Sequence, residues 1–397
     1  MTVQTLPRRL TLPLLAALVV APVASAAPFR PQSDQQVLET LPARASDPRM
    51  RELNALRREL QSRPQDLDVA IRLGRRYYEQ VAAEGDPRYI GYAQAALAPW
   101  WNLPDPPVGA RVMRAILLQF GHQFDAALAD LDVAVREDPA NGEAWAWRAS
   151  ITMVQARYPE ARAACQQLAR HASPLIGTTC VAYADSLTGK AAAAAEAIRS
   201  ALQQDPQATP GELLWVLTRL AEIEDRRGNL AQAEAAYRRA LDLGLDDGYL
   251  QAAYADFLLD RGRPAEVIAL LKDRTRSDVL LLRLALAAKA LNAPALAGWE
   301  HDLAARFDAA RRRGDTLHQK EEARFLLGVQ GQAQKALPLA RENYALQREP
   351  ADARVLLEVA LAARQPAAAE PVLKWMAESG IESVALSALA RKLKGGS

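Results

Sequence analysis

Residues 214–247 read LWVLTRLAEIEDRRGNLAQAEAAYRRALDLGLDD, and this stretch decides the fold. Apolar side chains recur every three or four positions on both sides of a Gly-Asn pair, Gly228 and Asn229. This spacing is typical of two amphipathic helices. Gly228 ends the first helix because glycine adopts the left-handed conformation without a Cβ clash, and Asn229 is a candidate N-cap for the second. The stretch therefore predicts a helical hairpin with small residues at the crossing.

The same pattern recurs along the chain with a period of about 34 residues. A single hairpin leaves an apolar face uncovered, so it needs neighbours that repeat it. Weaker repeats, which lose the glycine turn or the closing proline, are predicted at 67–107 and over 278–386. The clearest repeats are predicted at 108–141, 142–174, 175–208, 214–247 and 248–281.

These repeats resemble the tetratricopeptide repeat family, whose unit is a helical hairpin of about 34 residues. Residues 73–77, Leu-Gly-Arg-Arg-Tyr, look like the Leu-Gly-x-x-Tyr core of the family signature, and Trp145 stands where the family has its tryptophan. The resemblance covers residues 67–386. It implies an all-α fold, a right-handed superhelical solenoid in which the first helix of each repeat lines a concave groove.

The resemblance also implies where a partner would bind. In that family, outward positions on the first helices hold extended or helical peptides. The corresponding set here is aromatic and acidic, so it predicts a partner peptide that carries Lys or Arg between apolar residues. An ordinary solvated helix face is the alternative interpretation. The predicted binding residues are Tyr183, Trp215, Glu222, Asp225, Tyr249 and Asp256.

The beginning of the chain is typical of an export signal. Arg8 and Arg9 precede an apolar stretch, and the small residues at 24–26 form a cleavage site. The sequence around the two arginines matches the twin-arginine signal poorly, which favours the general secretory route. We therefore expect a signal peptide at 1–26, cleavage before Ala27, and a mature protein that is periplasmic or secreted.

The composition of the rest of the chain argues against a membrane-spanning helix and against nucleic-acid binding. Residues 27–66 are polar and are predicted to form capping helices in front of the array at 67–397. No later segment has the run of about 18 apolar residues that a membrane span requires. The chain has 49 Lys and Arg against 47 Asp and Glu. Without the signal peptide, the chain has 47 Lys and Arg and 47 Asp and Glu, so it lacks the basic surplus of a nucleic-acid-binding protein.

Few residues are candidates for catalysis, metal binding or a disulfide. Cys165 and Cys180 are the only cysteines. The resemblance places them on neighbouring helices, so a disulfide that closes a loop of about 15 residues is one interpretation, and two separate buried thiols are the other. The histidines show no metal-ligand spacing, and no catalytic or phosphate-binding motif occurs. We expect no catalytic, cofactor or metal site; an enzyme using Cys165 with His171, or His318 with Glu322, is the competing interpretation.

The sequence thus favours a non-enzymatic scaffold or adaptor that binds a protein or peptide partner in the bacterial cell envelope. A periplasmic holdase or assembly chaperone for a secreted or outer-membrane client is the second prediction. A hydrolase or metal-dependent enzyme with an unrecognised site is the third. Suppression of client aggregation would favour the holdase, whereas loss of an activity on chelation or thiol alkylation would favour the enzyme.

Overall fold

A computed structural model describes residues 48–84 and 86–395, without the side chains of residues 82 and 84. The predicted signal peptide at 1–26 lies outside these residues, as does most of the predicted capping region. The chain divides into a unit of residues 1–50 and a unit of residues 51–397. The regular elements of the described residues are all helical, which confirms the all-α fold class.

Nine helical hairpins follow one another in the described residues, and each consists of a first and a second helix. The first helices are α2 (Leu67–Glu84), α5 (Val108–Phe120), α7 (Gly142–Val154), α9 (Pro174–Ser186), α11 (Pro210–Arg227), α13 (Gly248–Asp260), α15 (Asp278–Leu291), α17 (Gln319–Gly328) and α19 (Pro350–Ala362). The second helices are α3 (Arg88–Ala96), α6 (Phe124–Glu137), α8 (Tyr158–Leu168), α10 (Ala191–Gln204), α12 (Leu230–Leu241), α14 (Pro264–Leu271), α16 (Leu296–Arg312), α18 (Ala333–Leu346) and α20 (Glu370–Ser379). The remaining elements are α1 (Pro48–Ser62), the short α4 (Ala98–Trp101), a 3-10 turn (Pro366–Ala369) and α21 (Val384–Gly395).

The hairpin of α11 and α12 forms where the sequence predicts it. Gly228 has a φ of +83° and ends α11, which confirms the expected left-handed turn. The expected role of the next residue was wrong. Asn229 is the N-cap residue of α12, but its side chain makes no capping hydrogen bond and instead donates to the Glu224 carboxylate at 2.7 Å.

Helix α11 begins earlier than the predicted repeat boundary at 214. Its first residue is Pro210, because Thr209 and Glu212 form a capping box. The Thr209 hydroxyl accepts from the Glu212 amide, and the Glu212 carboxylate accepts from the Thr209 amide. This reciprocal pair satisfies amides that a helix N-terminus otherwise leaves without partners. A segment whose proline and glycine suggest a break is therefore the start of a helix.

Small side chains let neighbouring helices approach closely. Ala221 on α11 and Ala233 and Ala240 on α12 are fully buried. Larger apolar side chains, such as Leu217 and Tyr237, fill the space around them and are also buried. Helix α11 packs on α12 of its own hairpin and on α9 and α10 of the preceding one. The apolar face that one hairpin leaves open is thus covered by the next, as expected for a repeat array.

Helix α1 provides the described part of the predicted capping region. Its Leu53 and Leu56 are buried. Its Glu52 accepts a hydrogen bond from Arg76 of α2 at 2.8 Å, and Arg57 stacks over the ring of Tyr77 at 5.2 Å. One side of α1, including these two charged residues, therefore lies against α2, the first helix of the array.

Distant parts of the unit 51–397 also meet, along a line of contacts that we call the seam. It joins the turns within hairpins of the first half of the array to loops and helices near the end of the chain. These contacts fall between residues up to 225 positions apart, so no local sequence pattern announces them. The seam consists of Gln347 Nε2 with His122 Nε2 (2.6 Å), the Arg348 amide with the Val154 carbonyl (2.7 Å), Trp375 Nε1 with the Tyr158 hydroxyl (3.1 Å), and the Ala191 amide with Glu382 Oε2 (2.6 Å).

The buried alanine at the hairpin crossing provides a test of the repeat register. Replacement of Ala233 by Glu places an unpaired carboxylate in a fully buried position. We expect a loss of about 3 kcal/mol or more in the free energy of unfolding, measured by urea titration. The matched control is Ala235→Glu on the exposed side of the same helix, which should change stability by less than about 0.5 kcal/mol. Equal stability of the two variants would contradict the register.

Candidate binding face

The first helices of hairpins that are not neighbours are joined by ion pairs. Arg354 on α19 holds Asp260 on α13, 94 residues away, with its Nη1 and Nη2 at 2.5 and 2.7 Å from the two carboxylate oxygens. The first helices therefore present polar side chains to one shared surface, which we call the inner face. It is defined by Tyr183, Arg219, Glu222, Tyr249, Asp256, Asp260, Arg324 and Arg354.

Three of the predicted binding residues converge on one arginine of the inner face. The Arg219 guanidinium lies 4.9 Å from the ring centre of Tyr183 and 4.7 Å from that of Tyr249. Its Nη1 donates to both tyrosine hydroxyls at 3.2 Å and to Glu222 at 2.9 Å. These residues come from α9, α11 and α13, so the cluster exists only because three consecutive hairpins stack. Cation–π and charged contacts of this kind hold an arginine rigidly in place.

The two tyrosines of this Arg219 cluster differ in exposure. Tyr183 is buried, and this burial, with the Glu222 carboxylate nearby, raises the pKa of its hydroxyl. Tyr183 therefore stays neutral at ordinary pH. Tyr249 remains 48% exposed, and its hydroxyl donates to Glu222 at 2.5 Å. The cluster thus offers solvent one fixed aromatic ring above a buried, charged base.

The other predicted carboxylates are paired with arginines that the sequence analysis missed. Asp225 accepts from Arg261 at 2.5 Å, and Arg261 lies over the ring of Phe257 at 4.2 Å. Asp256 accepts from Arg283 at 2.7 and 3.1 Å and from Arg324 at 2.8 and 3.0 Å.

The expectation of a negatively charged groove was therefore wrong, because an arginine pairs with each predicted carboxylate. Glu222 pairs with Arg219 on the same helix, Asp225 with Arg261 in a hairpin turn, and Asp256 with arginines of other first helices. Whether these residues bind a partner stays a prediction.

Asp256 is the most strongly held of these carboxylates. Burial alone would raise its pKa, but the positive charges of Arg283 and Arg324 outweigh burial and hold the pKa well below its usual range. The Arg283 side chain is only 6% exposed. Because a buried guanidinium needs a counter-charge, Asp256 stabilises the contact among α13, α15 and α17.

Trp215, the remaining predicted binding residue, lies elsewhere. It is half-buried and packs against the small apolar cluster that contains Cys165 and Cys180. These cysteines form a disulfide between α8 and α9, with Cα atoms 5.3 Å apart. Of the two interpretations of the cysteines, the structure contains the bridge. Trp215 thus helps to cover a covalent link between the third and fourth hairpins.

The competing enzyme interpretation finds no support in these positions. Cys165 is fully buried and disulfide-bonded, so it has no thiolate to act as a nucleophile with His171. Glu322, the suggested partner of His318, forms an ion pair with Arg311. Across residues 48–84 and 86–395, no group of three or more His, Cys, Asp or Glu side chains is placed to hold a metal ion. The same residues contain no helix whose length and apolar content would suit a membrane span.

Comparison with known proteins gives matches among solved structures alone: no protein-family model and no curated protein matches the chain. It is similar to a chain of the APC/C hetero-tetramer Cut9-Hcn1, with 13% identity and a TM-score of 0.40, over 87% of this chain and 52% of that one. Yeast Tom70 shows 15% identity and a TM-score of 0.40, over 87% of this chain and 62% of that one. A tetratricopeptide repeat protein from Parabacteroides merdae shows 14% identity and a TM-score of 0.33, over 72% of this chain and 98% of that one. The chain thus spans about half to three fifths of the length of the first two.

The pairing of Asp256 predicts a pH-dependent loss of stability. Asp256→Asn removes the counter-charge of Arg283, and we expect it to lower the free energy of unfolding by about 2 kcal/mol at pH 7. Because the folded-state pKa lies below the unfolded value of about 3.9, the wild-type advantage is complete above about pH 5 and declines as the pH falls. The difference in the free energy of unfolding between the wild type and Asp256→Asn should be about 1 kcal/mol smaller at pH 3 than at pH 7, measured by urea unfolding.

The control for this variant is Asp302→Asn, at an exposed position of α16. It should change stability by less than about 0.5 kcal/mol at either pH. If Asp256→Asn behaved like this control, the ion pairs of Asp256 with Arg283 and Arg324 would contribute nothing to stability.

Proposed function

We propose that this chain is an exported, non-enzymatic scaffold of the bacterial cell envelope that binds a protein or peptide partner on its inner face. A repeat array suits this role because each hairpin adds a segment of surface to a continuous binding face. The proposal concerns binding by the folded chain and involves no chemical step. It requires neither a cofactor nor a metal ion.

The observation that carries this proposal is the Arg219 cluster. Three hairpins contribute to it, and its outermost member, Tyr249, is 48% exposed although it is an aromatic residue held by hydrogen bonds. Rigid tyrosine and arginine side chains dominate the energetics of many protein interfaces, because they bury much area at little cost in conformational entropy. Tyr249 is therefore the proposed anchor of the contact.

The pairing of charges changes the kind of partner that we propose. Glu222, Asp225 and Asp256 already have arginine partners, so the inner face offers little free negative charge to a basic peptide. A partner would gain more from aromatic and apolar contact with Tyr249 than from charge pairing. Salt screens interactions between exposed charges but hardly affects apolar burial. Binding that rests on Tyr249 should therefore depend only weakly on salt concentration.

Affinity capture from envelope extract with the mature protein tests this proposal. Tyr249→Ala should weaken the capture of a partner by about tenfold or more, as expected for an aromatic anchor. The matched control is Tyr92→Ala, because Tyr92 is also 48% exposed but lies on α3, a second helix. Capture should be measured at low and moderate salt, and circular dichroism should show that both variants are folded.

Equal capture by the two tyrosine variants would place binding away from the inner face. Capture that both variants retain at low salt and lose at moderate salt would point to exposed charges instead of Tyr249. Absence of any captured protein in envelope extract would remove the support for a scaffold.

Export is the second part of the proposal, and it rests on the pattern of residues 1–26. Mass spectrometry of the protein from a periplasmic fraction should find a mature N-terminus at Ala27. Ala26→Phe places a bulky residue at the cleavage site and should leave the signal peptide attached. A protein that is found in the cytoplasm with its first residues intact would contradict export.

A further inference from the structure

Arg226 is an arginine of α11 that forms no ion pair with the described residues. Its Nη2 donates to the Ser186 hydroxyl oxygen at 2.8 Å, and its guanidinium lies 5.6 Å from the ring centre of Tyr183. Its Nε is buried without a hydrogen bond, whereas Nη1, which also lacks one in the described part of the chain, remains accessible to solvent. Arg226 is half-buried, so its charge is only partly hydrated.

Arg226 differs in this respect from the arginines of the inner face, each of which has a carboxylate partner. Their pairs are Arg219 with Glu222, Arg324 with Asp256 and Arg354 with Asp260. The carboxylates that precede Arg226 directly in the sequence also pair with other residues. Glu224 pairs with Arg227 at 2.8 Å, and Asp225 pairs with Arg261 at 2.5 Å. Because a half-buried charge is normally paired, an anion from outside the chain would be stabilised beside Arg226.

Arg226 is joined to the proposed anchor by a chain of contacts. It follows Arg219 by about two helical turns, or about 10 Å along α11. Both guanidiniums lie over the buried Tyr183 ring, at 4.9 Å and 5.6 Å from its centre. Arg219 also lies 4.7 Å from the ring centre of Tyr249. Rings and guanidiniums therefore alternate from the exposed Tyr249 to Arg226.

A carboxylate is the anion that suits this arginine. The Tyr183 ring and the Ser186 hydroxyl oxygen hold the guanidinium in one orientation, which leaves Nη1 as a free donor. A charge-assisted hydrogen bond to a carboxylate is stronger than a neutral one, particularly where water is partly excluded. Salt screens such a partly buried pair less than an exposed pair. This pairing is therefore compatible with the weak salt dependence expected for contact with Tyr249.

We propose that Arg226 binds an Asp or Glu side chain of the partner while an aromatic or large aliphatic residue of the same segment contacts Tyr249. An extended peptide rises about 3.3 Å per residue, so the two partner residues should be about two to five positions apart. This inference rests on the proposed function, because it names the chemistry of the partner that the inner face binds. The expected segment is acidic, opposite in charge to the basic peptide that the sequence alone predicts.

The first measurement determines which peptides the protein selects. A phage-displayed library of random short peptides is selected at moderate salt on the full mature chain. Asp or Glu should be enriched about threefold at about two to five positions from an aromatic or large aliphatic residue. Selected peptides that depend on Tyr249 but show no preference for acidic residues would overturn this inference and leave the proposed function standing. Selection of no peptide would also overturn it, whereas capture from envelope extract would still decide the proposed function.

The second measurement is a double-mutant cycle between the protein and one selected peptide. Fluorescence anisotropy gives the dissociation constants of this peptide and of a version whose acidic residue is replaced by the corresponding amide. Wild-type protein should bind the amide version about tenfold more weakly. Arg226→Gln should bind the acidic peptide about tenfold more weakly than wild type and should distinguish the two peptides by less than about twofold.

Arg239→Gln is the matched control, because it removes the same charge from an exposed position of α12. It should bind both peptides as the wild type does. If Arg226→Gln still distinguished the two peptides by about tenfold, the carboxylate would lie elsewhere and the inference would be overturned. Should circular dichroism show that Arg226→Gln is unfolded, Arg226→Lys replaces it. This variant keeps the charge but lacks the planar donor group, so it should weaken binding of the acidic peptide alone, by about threefold.

An inorganic anion bound at Arg226 would give a different pattern. Sodium phosphate, exchanged for sodium chloride at equal ionic strength, would raise the urea midpoint of the wild type but not that of Arg226→Gln. The wild type would then bind the acidic peptide and its amide version equally. Those two results together would overturn the assignment of Arg226 to a carboxylate of the partner.

Discussion

Close helix packing at alanine is the constraint on which this structure depends. Ala221, Ala233 and Ala240 are fully buried where α11 and α12 cross and meet their neighbours. A longer side chain at these positions would hold the helix axes apart and open voids beside them. Because each hairpin still has an uncovered apolar side, burial continues from one hairpin to the next along the array. This stacking places the first helices beside one another, and everything on the inner face follows from that placement.

Charged residues on the inner face occur in pairs because the stacking leaves them little water. Arg283 is almost completely buried beside Asp256, and Arg324 reaches the same carboxylate from the following hairpin. An unpaired charge in this position would be strongly unfavourable, whereas a bidentate pair recovers much of the lost hydration. These pairs link hairpins that share no turn.

The seam applies the same constraint over a longer distance. Glu382 satisfies the helix terminus at Ala191, and Trp375 satisfies the buried hydroxyl of Tyr158. Buried polar groups need partners, and here the partners come from residues near the end of the chain.

The sequence by itself determined the elements within one hairpin. The spacing of apolar residues around Gly228 predicted two helices and the left-handed turn between them, because these depend on neighbours three or four positions apart. The tertiary structure alone decided the pairing of Asp256 with Arg324, the approach of Tyr183 and Tyr249 to Arg219, and the seam. Those contacts join residues 30 to 225 positions apart, and which of them meet depends on the rotation from each hairpin to the next. That rotation accumulates over many helix contacts, so no single segment of the sequence encodes it.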